Sequence, residues 1–225
     1  MSPLDCPLAE ELFRTRRLLI LDFDGPVTRL LPDPRHIELA DAVKRLLRRR
    51  GPALPPPVTA SIDHVEVLRY AAQALPDLLP QAERLCSATE LKAADSATPA
   101  VGAIELLDLR RMQRRPVAIV TNNDHDVVTR FAQRHGIDLT GCTVHGRDPG
   151  HADRLKPSPW MLQAALHAHG CEPSEALLVG DSTTDVAAAQ AAGMPCVGVA
   201  IDQERAAALV RVGAAGVVVD LSAFL

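Results

Sequence analysis

Two aspartates one residue apart, Asp22 and Asp24, close the apolar run Leu18–Leu21 and are followed at once by Gly25 and Pro26. In an extended chain alternate residues share a face, so both carboxylates point one way while Phe23 turns to the opposite, apolar side. Two carboxylates held that close need a cation, a shared proton or both. The stretch is also an ordinary way for a strand to stop, because Asp-Gly is a common loop signal. Two later apolar runs carry comparable polar tips. VAIV runs into Thr121-Asn122-Asn123, and LLV runs into Gly180-Asp181-Ser182 with Asp185 close behind. Between them stands Lys156, followed by Pro157.

Such tips have chemical meaning only if a scaffold gathers them. An unbroken apolar run ending in a turn reads as a strand buried on both faces of a parallel sheet. Strands are expected at 18–22, 117–121, 143–145, 176–181, 195–200 and 216–220, the third short and weakly patterned. Helices are expected between them at 99–114, 124–135, 159–169, 183–192 and 203–212, after a short helix near 9–16 in an amino-terminal arm. Ser158 is expected to cap the 159–169 helix with Pro159 in its first turn, and Trp160 to pack that helix on the sheet. Ser182 or Thr183 is expected to cap the next helix and leave Asp185 in its first turn. Strands alternating with helices give an α/β fold, a doubly wound parallel sheet with right-handed crossovers. In such a sheet the strand ends converge on one crevice. Nothing between Leu31 and Thr98 reads as a strand. That segment holds helical patterns at 34–50, 63–75 and 77–94, with the prolines of 52–57 as a stiff connector. The expected organisation is therefore a core of residues 1–29 and 98–225, with a helical cap of residues 30–97 inserted after the first strand.

The crevice would hold Asp22, Asp24, Asp181 and Asp185 with Lys156 and Thr121. Clustered carboxylates without nearby Cys or His suit a hard, oxygen-seeking dication such as Mg²⁺. The histidine pairs His145/His151 and His167/His169 read instead as solvated positions. The chain has 21 arginines and three lysines, Lys44, Lys92 and Lys156. A lysine in such company marks a place for a compact point charge. At Lys156 that charge would let an anionic nucleophile approach an anionic phosphate. Thr121 offers a hydroxyl to a phosphoryl oxygen, and the amides around Phe23, Gly25 and Asn122 offer further donors. Gly180 permits a close turn at the site.

Composition narrows the partners. A net charge of −4 gives no reason to expect nucleic acid. The arginine runs at 14–17, 48–50 and 110–115 lack interleaved aromatics and read as solvated faces. Five cysteines, an odd number with no CxxC pair, suggest free thiols in a reducing compartment. With no signal peptide or membrane-length apolar run, the expectation is a cytoplasmic protein with no membrane partner, monomeric or homodimeric.

DFDGP, TNN, KP and GDSTTD, in that order, resemble the four signature motifs of the haloacid dehalogenase (HAD) superfamily in its phosphatase branch. The insertion after the first strand is similar to the helical cap of phosphoglycolate-phosphatase-like and β-phosphoglucomutase-like members. The resemblance runs from Leu18 to Asp220. It implies a Rossmannoid core of strand order 3-2-1-4-5 and a Mg²⁺-dependent phosphatase acting on a small phosphorylated substrate through an aspartyl-phosphate. By position, Asp22 matches the nucleophile and Asp24 the general acid/base, and Thr121 and Lys156 the phosphate-binding hydroxyl and amine. Asp181 matches a direct metal ligand, beside the Asp22 carboxylate and the Asp24 carbonyl. Asp185 matches an acidic position that binds metal through water or orients Lys156. Pro26 departs from the pattern, since relatives usually carry Thr or a small aliphatic residue there, and it would stiffen the turn into the cap. The motifs are shared by a phosphoglucomutase-like phosphotransferase and by a non-catalytic phospho-ligand-binding relative. A receiver-type signalling domain also clusters Asp, Thr and Lys, but such domains lack an insertion of this size. Arg29, Arg35, His36, His64 and Arg69 are the cap-side candidates for contacting the leaving group. Tyr70, the cap's one aromatic residue, gives little for stacking on a nucleobase.

Overall fold

The computed structural model describes residues 7–225; the start of the arm, with Cys6, lies outside the described residues. The strands are β1 (Leu18–Asp22), β2 (Val117–Asp124), β3 (Cys142–Arg147), β4 (Ala176–Gly180), β5 (Cys196–Val199) and β6 (Gly216–Val218). They form one parallel sheet in the order β3-β2-β1-β4-β5-β6, the anticipated order extended by a sixth strand. The helices are α1 (Pro7–Thr15), α2 (Arg35–Arg50), α3 (Pro56–Ala60), α4 (His64–Ala74), α5 (Leu79–Ala94), α6 (Ala103–Met112), α7 (His125–His135), α8 (Trp160–His169), α9 (Thr183–Ala192) and α10 (Gln203–Arg211).

Side-chain alternation assigns the two faces of the sheet. Leu19 and Leu21 join Val117, Ile119, Leu177 and Val179 in one apolar layer. Leu18 and Ile20 join Ala118, Val120 and Leu178 in the other, which α8 and α9 cover with Leu162, Ala165, Val186 and Ala189. Each such Leu, Ile or Val contributes about 1.5–3 kcal/mol by leaving water. A one-residue slip of β1 would exchange both layers, so burial fixes the register and, with it, the direction of Asp22. Helices α2, α4 and α5, inserted between β1 and β2, do not enclose a separate core. Leu39, Val43, Leu68, Ala82 and Cys86 belong to the same apolar cluster as Leu21, Phe23 and Phe131.

Several local expectations change. The proline-rich connector ends in a short helix, α3, with proline at its start. The 99–114 helix begins only at Ala103, after Gly102 in a left-handed turn at φ 78°. The Ala100 amide donates to the Val27 carbonyl and Thr28 bridges to Pro99, which keeps the chain extended where the cap returns. Val101 consequently stays exposed. Helix α8 starts at Trp160 without a side-chain cap, so Ser158 does not serve as one. Trp160 is 39% exposed and lies under the Arg154 guanidinium, 4.4 Å from its ring centre, rather than against the sheet. Strand β3 runs longer than 143–145. It is the edge strand, and the half-burial of Cys142–Gly146 explains its faint pattern. His145 and His169 are half-buried, whereas His151 and His167 are exposed as expected. The Nε2 atoms of His145 and His169 each lie 3.0 Å from the Thr143 hydroxyl. Arg110 departs furthest from a solvated face: it is fully buried and donates to the carbonyls of Arg17 and Pro116 at 2.7 and 3.1 Å. Cys86, Cys142, Cys171 and Cys196 are free thiols. No helix among the described residues is long and apolar enough to cross a membrane.

Candidate active site

The crevice lies at the carboxyl ends of β1, β2 and β4, and its centre is an ammonium between two carboxylates. Lys156 Nζ is 2.8 Å from Asp22 Oδ1 and 2.6 Å from Asp185 Oδ1, and only 2% of the lysine is exposed. Local structure supplies each partner. Asp22 is the last residue of β1, and its Oδ1 also accepts from the Phe23 amide at 2.7 Å. Asp185 sits in the first turn of α9 inside a reciprocal capping box. Its Oδ2 accepts from the Ser182 amide (3.0 Å) and hydroxyl (2.6 Å), and the Asp185 amide donates back to Ser182 Oγ. Two glycines make the close approach possible. A Cβ on Gly180 would overlap the Asp185 carboxylate, and one on Gly25 the Asp181 carboxylate. Gly25 also adopts φ 114°, a backbone shape that disfavours any side chain.

The carboxylates outnumber the ammonium, so the site takes up protons or a further cation. Asp22, Asp24, Asp181 and Asp185 face a single ammonium. Burial, then the Asp185 charge, pushes the Asp22 carboxyl well up, with Lys156 pulling the other way. Burial raises Asp24 as well. Burial, followed by Asp185 and Asp24, pushes Asp181 up to about 7. Burial works against the charge of Lys156, but Asp185 and Asp22 outweigh it and hold the ammonium above the ordinary lysine range. Oxygens of Asp22, Asp181 and Asp185 lie within 4.8 Å of one another. Both Asp185 oxygens are engaged, by Lys156 and by Ser182. Asp22 keeps Oδ2 unengaged, and Asp181 has no hydrogen-bond or ion-pair partner among the described residues. An all-oxygen donor set with excess negative charge fits Mg²⁺, and Asp22 and Asp181 are the residues free to hold it.

The remaining candidates divide in two. Asp24 Oδ1 accepts from the Leu30 amide at 2.8 Å, which leaves Oδ2 for proton transfer. The buried Thr121 hydroxyl lines the crevice and donates to Asn123 Oδ1 at 2.8 Å. The Gly25 amide donates to the Thr28 carbonyl at 2.7 Å and the Phe23 amide to Asp22, so both are spent inside the turn rather than free for a ligand. Asn122 lines the crevice, and its side chain braces Lys156. Its Oδ1 accepts from the Lys156 amide at 2.8 Å and its Nδ2 donates to the Lys156 carbonyl at 3.3 Å.

The crevice encloses about 500 Å³, and its outer wall includes Arg29, His36 and His64 from the cap side. Arg35 is not part of it; that side chain reaches Ser96 Oγ at 3.4 Å beside a different groove. Arg69 donates to the Lys156 carbonyl. Sequence reasoning missed Arg205, Ile62 and Ile201 at the mouth, and it missed a buried pair behind the site. Glu90 of α5 receives two bonds from Arg147 at the end of β3, at 2.9 and 2.8 Å. The one sequence signal for Arg147 was a charge closing an apolar strand, and the faintness of β3 hid it.

Residues 59–199 match the family described as haloacid dehalogenase-like hydrolase. Phosphoglycolate phosphatase of Pseudomonas putida is 29% identical over 81% of this chain and 68% of its own length. Validoxylamine A 7'-phosphate phosphatase of Streptomyces hygroscopicus is 28% identical over 81% of this chain and 84% of its own. Several other phosphatases are matched over less than half their length. Among solved structures, a HAD family hydrolase from Deinococcus radiodurans with bound phosphate and sodium superposes with a TM-score of 0.60 at 25% identity, covering 93% of both chains.

Proposed function

The chain belongs to the haloacid dehalogenase-like hydrolases, and from that membership we propose that it is a Mg²⁺-dependent phosphatase that hydrolyses a small phosphorylated metabolite in two steps. The observation that carries the proposal is the seat of Lys156, whose ammonium touches Asp22 at 2.8 Å and Asp185 at 2.6 Å inside a crevice shared with Asp24, Asp181 and Thr121. In the first step Asp22 attacks phosphorus in line. The Asp22–phosphorus bond forms, the ester P–O bond breaks, and Asp24 gives its proton to the departing oxygen. Burial raises Asp22 and Asp24 alike. The Lys156 ammonium in contact with Asp22 at 2.8 Å favours its ionised form, and Asp24, with no ammonium in contact, is the one suited to enter this step protonated. In the second step Asp24 takes a proton from water, and that water displaces Asp22 from phosphorus to release phosphate. Lys156 offsets the charge on the transferring group from a fixed position, which is where most of the acceleration in phosphoryl transfer arises. Thr121 is placed to turn its hydroxyl from Asn123 to a phosphoryl oxygen. Mg²⁺ held by Asp22 and Asp181 would supply Lewis-acid stabilisation of that same charge. The division into a core of 1–29 and 98–225 and a cap of 30–97 suits this chemistry, since the cap wall meets the leaving group.

The test is phosphate release from a panel of phosphate esters with Mg²⁺ and with EDTA. Asp22→Asn should abolish turnover while the circular dichroism spectrum stays that of the folded protein. Residual activity above a few per cent of wild type would remove Asp22 as nucleophile. Isomerised sugar phosphate with little free phosphate would reassign the chain as a phosphotransferase.

A further inference from the structure

The peptide that carries Lys156 is held jointly by strand β2 and by the cap. Arg69, on cap helix α4, donates to the Lys156 carbonyl. Asn122 binds the amide and the carbonyl of that residue, at 2.8 and 3.3 Å. The carbonyl of Asn122 in turn accepts from Arg147 Nη1 at 3.0 Å, and Arg147 is fixed by two bonds to Glu90 of cap helix α5 and by Ser87 Oγ at 3.1 Å. Glu90 also accepts from the Asp124 amide at 3.0 Å, at the last residue of the strand that carries Asn122. Glu90 is fully buried and Arg147 is 6% exposed, so this relay runs through the protein interior, where water cannot substitute for a lost partner.

We propose that the cap sets the position of the Lys156 ammonium, with Arg69 acting directly and Glu90 acting through Arg147 and Asn122 as positioning residues. The proposal rests on the reading of Lys156 as the phosphate-facing amine. Cap helices make the outer end of every link, so a cap that is not seated leaves Lys156 with Asn122 alone on its backbone, and Asn122 without its own anchor. The cap thus contributes to the chemical step and does more than cover it. A buried ammonium bridging carboxylates at 2.6 and 2.8 Å tolerates little displacement.

Arg69→Gln and Glu90→Gln, each checked for fold by circular dichroism well below its melting temperature, should lower kcat on p-nitrophenyl phosphate roughly 10- to 100-fold with KM little changed. In an Asn122→Ala background the same Glu90→Gln change should cost little more, because the relay is already cut. A purely structural role for Glu90 would give additive losses, and that result would overturn the relay. With only three lysines in the chain, selective ¹⁵N-lysine labelling reads the Lys156 ammonium signal without any turnover. That signal should shift or broaden in Arg69→Gln, while the signal of Lys44, held inside the cap by the carbonyls of Ser61 and Thr59, should stay. An unmoved Lys156 signal would refute the positioning role. A wild-type chain that releases phosphate from no ester would instead refute the phosphatase reading, and the ammonium signal would still decide this one.

Discussion

Replacing Glu90 with Gln removes one charge from a buried pair and leaves the other in place, so the cost can be worked from the structure. Burial alone would raise the Glu90 carboxyl, but the imidazole of His64 and the guanidinium of Arg147 outweigh it and hold the carboxyl near 2 rather than 4.5. The Arg147 contacts have hydrogen-bond geometry at 2.9 and 2.8 Å. His64 Nε2 lies 3.3 Å from Oε1 but has no aligned partner, so Arg147 is the anchor. A downward shift of that size corresponds to about 3 kcal/mol of stabilisation of the charged form. Removing one partner from a buried ion pair costs about 3–5 kcal/mol by experience with other proteins. The two figures agree, and for a chain of this length about 3 kcal/mol lowers the melting temperature by roughly 6–12 °C. The sign with pH is set by the depressed carboxyl. Its stabilisation is complete above the unfolded-state value of 4.5 and is lost as pH falls through about 2. Urea unfolding followed by circular dichroism at pH 7 and pH 3.5 measures both. The gap between wild type and Glu90→Gln should be full at pH 7 and about 1 kcal/mol smaller at pH 3.5. A gap at pH 7 below about 1 kcal/mol, the range of an exposed pair, would refute the buried-pair reasoning, as would a gap that does not move with pH.

Lys156→Arg keeps the charge but brings a wider group into a site closed by Asp22 and Asp185, so kcat should fall roughly 100-fold or more; a wild-type rate would mean that charge alone matters. With Asp181 pushed up to about 7, Mg²⁺ binding must release a proton below that pH. Its dissociation constant should therefore rise at least about tenfold per pH unit below 7, and more steeply where the raised carboxyl of Asp22 also gives up a proton. Calorimetric titration from pH 6 to 8 measures this, and a flat profile would show that Asp181 is not a ligand.

Local pattern was enough for the scaffold. Leu18–Leu21, Val117–Val120 and Leu177–Val179 are continuous apolar runs whose ends must lie together once helices cover both faces. That is why the positions of Asp22, Thr121 and Asp181 were legible, and why Asp185 could be placed in a helix start from Ser182 three residues earlier. Edge strand β3 was faint because one side of an edge strand is half-open to water, and the polar residues that such exposure permits erase the alternation.

What the chain order could not express is pairing across it. Glu90 reads as one more polar residue on a helix, and Arg147 as a charge after a weak strand, 57 residues away. Arg69 and the Lys156 carbonyl are 87 residues apart, and Arg110 reaches the Arg17 carbonyl across 93. Glu90, Arg147 and Arg110 are buried and Arg69 is half-buried, which composition argues against, and each is stable there because distant carbonyls or a distant charged partner meet it. The residues able to do chemistry, and the strands that bear them, follow from apolar runs and their tips. Whether the cap stands apart from those residues or grips them depended on how two helices and the edge of a sheet pack, because a buried charge takes its partner from whatever tertiary packing brings within reach.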